Sequence, residues 1–146
     1  DPSAYRPFNM IVADNHDAFW LRSLGLRQGW VERQKLPEGL SMLTAHDLND
    51  AAGSRRIRHY LPRFAAARPP DPAAGDWSDW ERLVSAREFE PGGVATDAMA
   101  IHTDSGFETV SSSLIALPAP APAGKPPVWR FAAGRPGEQP FEKVEF

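Results

Sequence analysis

Proline divides this chain. Residues 68–75 hold Pro69, Pro70 and Pro72, and residues 118–127 hold five prolines. Each proline lacks a backbone N–H and fixes φ, so neither stretch can run as a helix interior or a central strand. The first reads as a stiff connector and the second as a rigid loop. Regular elements must lie outside them. The chain has 146 residues, a length suited to one domain spanning 1–146.

Phe8–Ala13 is short, apolar and bounded by Pro7 and by Asp14, Asn15, His16 and Asp17. It reads as a strand. Asn and Asp tolerate turn geometry, so 14–17 reads as a turn into a second strand over 18–24, and the pair as a β-hairpin. A third short strand is expected over 29–34, a turn over 36–39 and a further strand over 40–45. Ser54 is placed to cap a helix in which Ile57, Tyr60, Leu61 and Phe64 share one face. Pro62 lies inside that pattern, so a kink or a restart is expected there. Arg55, Arg56, Arg58 and Arg63 read as its solvated face. Asp76 caps a shorter helix whose stripe is Trp77, Trp80, Leu83 and Val84. Strands follow over 98–103, 109–117 and Val128–Ala132, with a possible edge strand over 141–146. Strands, then helices, then strands predict an α+β fold built on antiparallel hairpins.

Composition removes several chemistries. With no cysteine, the chain has no disulfide framework, thiol nucleophile or thiolate metal site. A net charge of −3 and pI near 5.8 argue against nucleic acid as a partner. No apolar run reaches the roughly 18 residues of a membrane helix. The first residues lack a basic segment followed by an apolar one, so no secretory signal is read. A cytoplasmic location is the expectation.

His16, His46, His59 and His102 show no metal-ligand spacing, so no metal is expected. Thr109, Ser111 and Ser113 alternate along a strand and share a face, and they are candidate ligand-binding residues. No G-x-S-x-G, Walker A or G-x-G-x-x-G motif occurs.

Several stretches in order carry a resemblance. They are residues 7–14 leading into 17–21, then 39–50, 58–64, 105–118 and 128–134. The most specific is Gly106-Phe107-Glu108-Thr109-Val110-Ser111-Ser112-Ser113. Together they resemble the later half of bacterial NRDE-domain proteins, relatives of the eukaryotic transport and Golgi organisation protein. Glu108 stands where that family has glycine. The resemblance implies an Ntn-hydrolase-like αββα-type sandwich with antiparallel sheets, of which this chain would be the C-terminal portion. It also implies an initial cysteine nucleophile and an Asn-Arg-Asp-Glu motif, neither of which this chain contains.

Two functions follow from it. In the first, the chain does no catalysis as it stands and handles haem or a lipid or acyl ligand. Trp20, Trp30, Trp77, Trp80 and Trp129 would line the pocket, and His16, His46 or His102 would be an axial haem ligand. In the second, it is the C-terminal part of an Ntn-type amidohydrolase whose nucleophile lies in a missing N-terminal segment. Asn15 and His46 would then join Thr109, Ser111 and Ser113 at the site. The expected partners are a small apolar or amphipathic ligand, and either that N-terminal segment or a second copy joined through an exposed strand edge.

Overall fold

A computed structural model describes residues 4–25, 29–120 and 124–145. Its first hairpin forms as expected, with β1 at Phe8–Ala13 and β2 at Ala18–Ser23, the latter one residue shorter than expected. They pair antiparallel from Phe8↔Ser23 to Ala13↔Ala18. The Asp14 carboxylate closes the turn by accepting the backbone N–H groups of His16 and Asp17, both at 2.8 Å. Those two donors hold its pKa below the ordinary 3.8. β3, Glu32–Lys35, pairs antiparallel with β2. It begins three residues later than expected, and its four residues are all exposed.

α1 runs over Arg55–Ala66. Ser54 is extended and its hydroxyl accepts the Ile57 N–H at 3.3 Å, as a cap should. Ile57 and Tyr60 are fully buried, and the Tyr60 hydroxyl donates to the Glu88 carbonyl at 2.5 Å. Pro62 neither ends nor restarts the helix. α2, Ser78–Val84, is preceded by Asp76, whose carboxylate accepts both the N–H and the hydroxyl of Ser78, at 3.1 and 2.7 Å. Phe64 meets Trp80 edge-on at 5.2 Å and joins the two helices.

The second sheet consists of β4 at Ser112–Ala116, β5 at Val128–Ala132 and β6 at Glu142–Lys143. Its strands pair antiparallel in chain order, with β6 at the edge. Side chains alternate across it. Leu114 and Ala132 turn towards Trp77 and Phe141 in a buried cluster edged by Trp80, Val84, Ala116 and Val128. Arg130, on this side, reaches Glu81 of α2 at 3.0 Å. Ile115 turns the other way and is 59% exposed. The described residues thus form an α+β fold with two antiparallel three-stranded sheets and two α-helices. Residues 121–123 of the proline loop lie outside the described part.

Two expected strands are absent and others are shorter; the edge strand expected over 141–146 is confined, among the described residues, to Glu142–Lys143. Residues 40–45 form no strand, because Asn49 captures their backbone. At φ 57°, Asn49 accepts the Met42 N–H through its side chain at 2.7 Å and donates its own N–H to the Met42 carbonyl at 2.9 Å. Asn tolerates this left-handed conformation better than other non-glycine residues. Residues 98–103 are likewise tied locally. Ala100 donates to Ala86, the Ile101 N–H goes to the Thr109 hydroxyl, and His102 makes a single bridge with Glu108. The strand expected over 109–117 is confined to Ser112–Ala116.

Candidate functional site

The loop at 41–50 lies between the first sheet and α1, and polar side chains hold it there. Asn9 of β1 donates its amide to the Thr44 and His46 carbonyls at 3.3 and 3.0 Å, and accepts the Trp20 indole N–H at 3.1 Å. Arg22 of β2 pairs with Asp47 at 2.6 Å. At the far side of the loop the Thr44 hydroxyl meets that of Ser54, the α1 cap, at 3.3 Å.

This anchoring leaves two clefts that share Thr44 and Ala45 as a wall. One, about 390 Å³, has an apolar end at Pro7, Phe8 and Leu24 and a polar end at Asn9, Arg22 and Asp47. The other, about 280 Å³, is polar and is bordered by His46, Gly53, Ser54, Arg55, Arg56, Thr96 and Asp97. Gly53 is needed for close approach. A Cβ there would collide with the Asp50 carboxylate and stand 3.1 Å from His46 Nδ1.

The electrostatics of the second cleft run against ordinary helix design. A helix N-terminus carries partial positive charge, and acidic residues normally occupy its first turn. α1 has no acidic residue there and begins with Arg55 and Arg56. The Arg56 guanidinium donates to the Thr96 carbonyl, while its Nε is sheltered from solvent and has no hydrogen-bond partner. Burial pushes the Arg56 pKa down, so the fold pays to keep a cation in this place. Arg55 donates to the Gly92 carbonyl. Asp97 is the acid that borders the cleft, and its carboxylate accepts the Val94 N–H at 3.0 Å. An anion entering here would meet two guanidiniums, hydroxyls and the end of a helix.

Of the five candidate site residues, His46 lines this cleft. Asn15 is exposed in the β1–β2 turn. Along the hairpin it lies roughly 13 Å or more from Asn9, the residue that holds the His46 loop. Thr109 accepts the Ile101 N–H at 2.9 Å, and Ser113 accepts the Trp129 indole N–H at 3.1 Å. Ser111 is exposed just ahead of β4. Among the described residues none of these three hydroxyls is hydrogen-bonded to a histidine. The other cleft residues are not among those candidates: Ser54 reads from the sequence as a helix cap, Arg55 and Arg56 as a solvated face, and Thr44 and Thr96 carry no motif. One signal for them lay in the chain: two arginines directly after a helix cap, where acids are usual.

The residues present do not fit a haem pocket. The tryptophans do not face one cavity. Trp20 is buried and donates its indole N–H to Asn9, Trp77 and Trp80 belong to the second sheet's core, Trp30 is 60% exposed, and Trp129 packs on Phe131. An apolar cavity of about 480 Å³ near Leu117, Pro118 and Val128 is lined by no histidine. His16 is exposed in the hairpin turn, and His102 lies 3.3 Å from the Glu108 carboxylate, which Arg135 also engages at 2.8 Å. Among the described residues no three His, Asp or Glu side chains converge as a metal site. No described helix is long and apolar enough to cross a membrane.

Comparison of the chain with family models, with curated proteins and with solved structures finds no match.

Proposed function

We propose that this chain is an NRDE-like ligand-handling protein that binds an amphipathic anion of the acyl-carboxylate class. The observation that carries the reading is the pair of clefts meeting at Thr44 and Ala45. One offers apolar surface at Pro7, Phe8 and Leu24, and the other offers Arg55, Arg56 and His46. Binding sites of this kind bury an apolar body and fix its orientation with a few charged or polar groups. On this reading an acyl tail lies in the first cleft and its carboxylate reaches over the Thr44–Ala45 wall to the second, where a guanidinium supplies charge-assisted hydrogen bonds. A hydrolytic role draws less support, because Thr109 and Ser113 use their hydroxyls to hold backbone and indole N–H groups in place.

Titration calorimetry with dodecanoate, against dodecanol as the uncharged control, tests this. Dodecanoate binds, dodecanol does not, and Arg56→Gln weakens dodecanoate about tenfold or more, as loss of a charge-assisted hydrogen bond predicts. Equal binding of the two probes, or an Arg56→Gln protein that binds as before, would overturn the reading.

A further inference from the structure

We infer that β1 is a self-pairing edge through which two copies of this chain join in an antiparallel two-fold, with Ile11 facing Ile11 of the second copy. This rests on the outer edge of β1 and is independent of the clefts. β1 ends its sheet, whose order is β1-β2-β3. Its backbone polarity follows from the turn. Asp14 donates to the Asp17 carbonyl at 2.9 Å, so these residues form a hydrogen-bonded pair. Antiparallel ladders alternate, so Val12, Met10 and Phe8 bond to β2, whereas the N–H and C=O groups of Asn9, Ile11 and Ala13 point away. The other side of the hairpin agrees, because the Ala18 carbonyl, opposite Ala13, turns outward to accept the Leu36 N–H at 2.8 Å.

This edge lacks the features by which proteins block such pairing, namely charge, proline or brevity. Its six residues, Phe-Asn-Met-Ile-Val-Ala, carry no charge and no proline. Met10, Ile11 and Val12 are 44–48% exposed. The other edges are blunted. β3 is Glu-Arg-Gln-Lys, and β6 is a Glu-Lys pair. β4 is uncharged but shorter, with five residues, and opens on Ser112 and Ser113. An uncharged edge also presents no repulsion to its own copy, whereas β3 would.

A second copy suits the pattern of outward groups. With Ile11 on the axis, Asn9 faces Ala13 of the copy and Ala13 faces Asn9, so all three outward residues pair under a closed two-fold. On one face, Trp20 and Ile11 then continue into Ile11 and Trp20 of the copy. On the other, Met10 meets Val12. One strand junction is small beside the about 1,200 Å² that stable interfaces bury, so the dimer is expected to depend on concentration.

The chain's lack of cysteine makes the register testable. Paired Cα atoms at the axis stand about 5.5 Å apart, within disulfide reach. Ile11→Cys therefore cross-links to a covalent dimer under mild oxidation. Ala13→Cys does not, because the two copies of residue 13 are about 13 Å apart in this register. By sedimentation equilibrium the unaltered chain is a reversible dimer. Ile11→Lys weakens it about tenfold or more while retaining its far-UV circular dichroism, and Ile115→Lys, a more exposed isoleucine on the other sheet, leaves it unchanged. A monomer at all concentrations, equal cross-linking of the two cysteine variants, or equal loss with Ile115→Lys would overturn the inference.

Discussion

α2 lies on the β4–β6 sheet and buries Trp77 there with Leu114, Ala132 and Phe141. Among the described residues the β1–β3 sheet meets no helix in this way. What reaches it is the loop at 41–50, held by Asn9 and Arg22 through hydrogen bonds and an ion pair, with Asn9 itself fixed by the Trp20 indole N–H. One sheet is secured by apolar burial, which is non-directional and tolerates small shifts. The other is secured by polar contacts with defined geometry, while Met10, Ile11 and Val12 stay partly exposed. The difference puts bulk stability in one half of the chain, and positional precision with available surface in the other.

The largest expected effect probes the apolar half. Leu114, 5% exposed, should cost about 2–5 kcal/mol when changed to alanine, and Met10→Ala, on the other sheet, should cost under about 1 kcal/mol. Equal costs in denaturant melts would break the comparison. Asn9→Ala should cost about 1–3 kcal/mol, because it strands the Thr44 and His46 carbonyls and the Trp20 indole N–H. It should also weaken dodecanoate binding, a readout that Leu114→Ala would not move in the surviving folded protein. Ser54→Ala removes the α1 cap and should cost about 1 kcal/mol, seen as a lower Tm and a frayed start to the helix by hydrogen exchange.

The smallest effect is one of pH. The Arg58 guanidinium beside Glu90 holds that carboxyl below its ordinary 4.5. A group whose folded-state pKa is depressed adds stability that is present above the unfolded value and is lost as pH falls through the folded one. The Tm of the unaltered chain should therefore approach that of Glu90→Gln as pH drops below 4.5. A gap that stays constant on acidification would show that the pair contributes nothing through ionisation.

Local pattern was enough wherever the partner is a sequence neighbour or the element carries its own cap. The β1–β2 hairpin, Val128–Ala132 and the Ser54 helix start all read directly from alternation, Asp and Asn turn chemistry and a capping hydroxyl. Residues 40–45 misled because their apolar pattern resembles a strand, while Asn49, several residues on, satisfies Met42 and removes the need for one. Residues 98–103 misled in the same way, through Thr109. Of the site, His46 was a candidate only through the family resemblance. Arg56 was not legible, because only the packing of the 95–97 turn against α1 distinguishes it from its exposed neighbours Arg55 and Arg58.

Both sheets arrange their strands in the order in which the chain supplies them, β1-β2-β3 and β4-β5-β6. No strand waits for a distant partner to close a long loop, which is the step that slows β-rich folding. The first hairpin, with its four-residue turn already organised by Asp14, can form on the microsecond scale of isolated hairpins. Each meander can thus form from its own stretch of chain, and the loop at 41–50 then has a sheet of sequence-adjacent strands on which to dock.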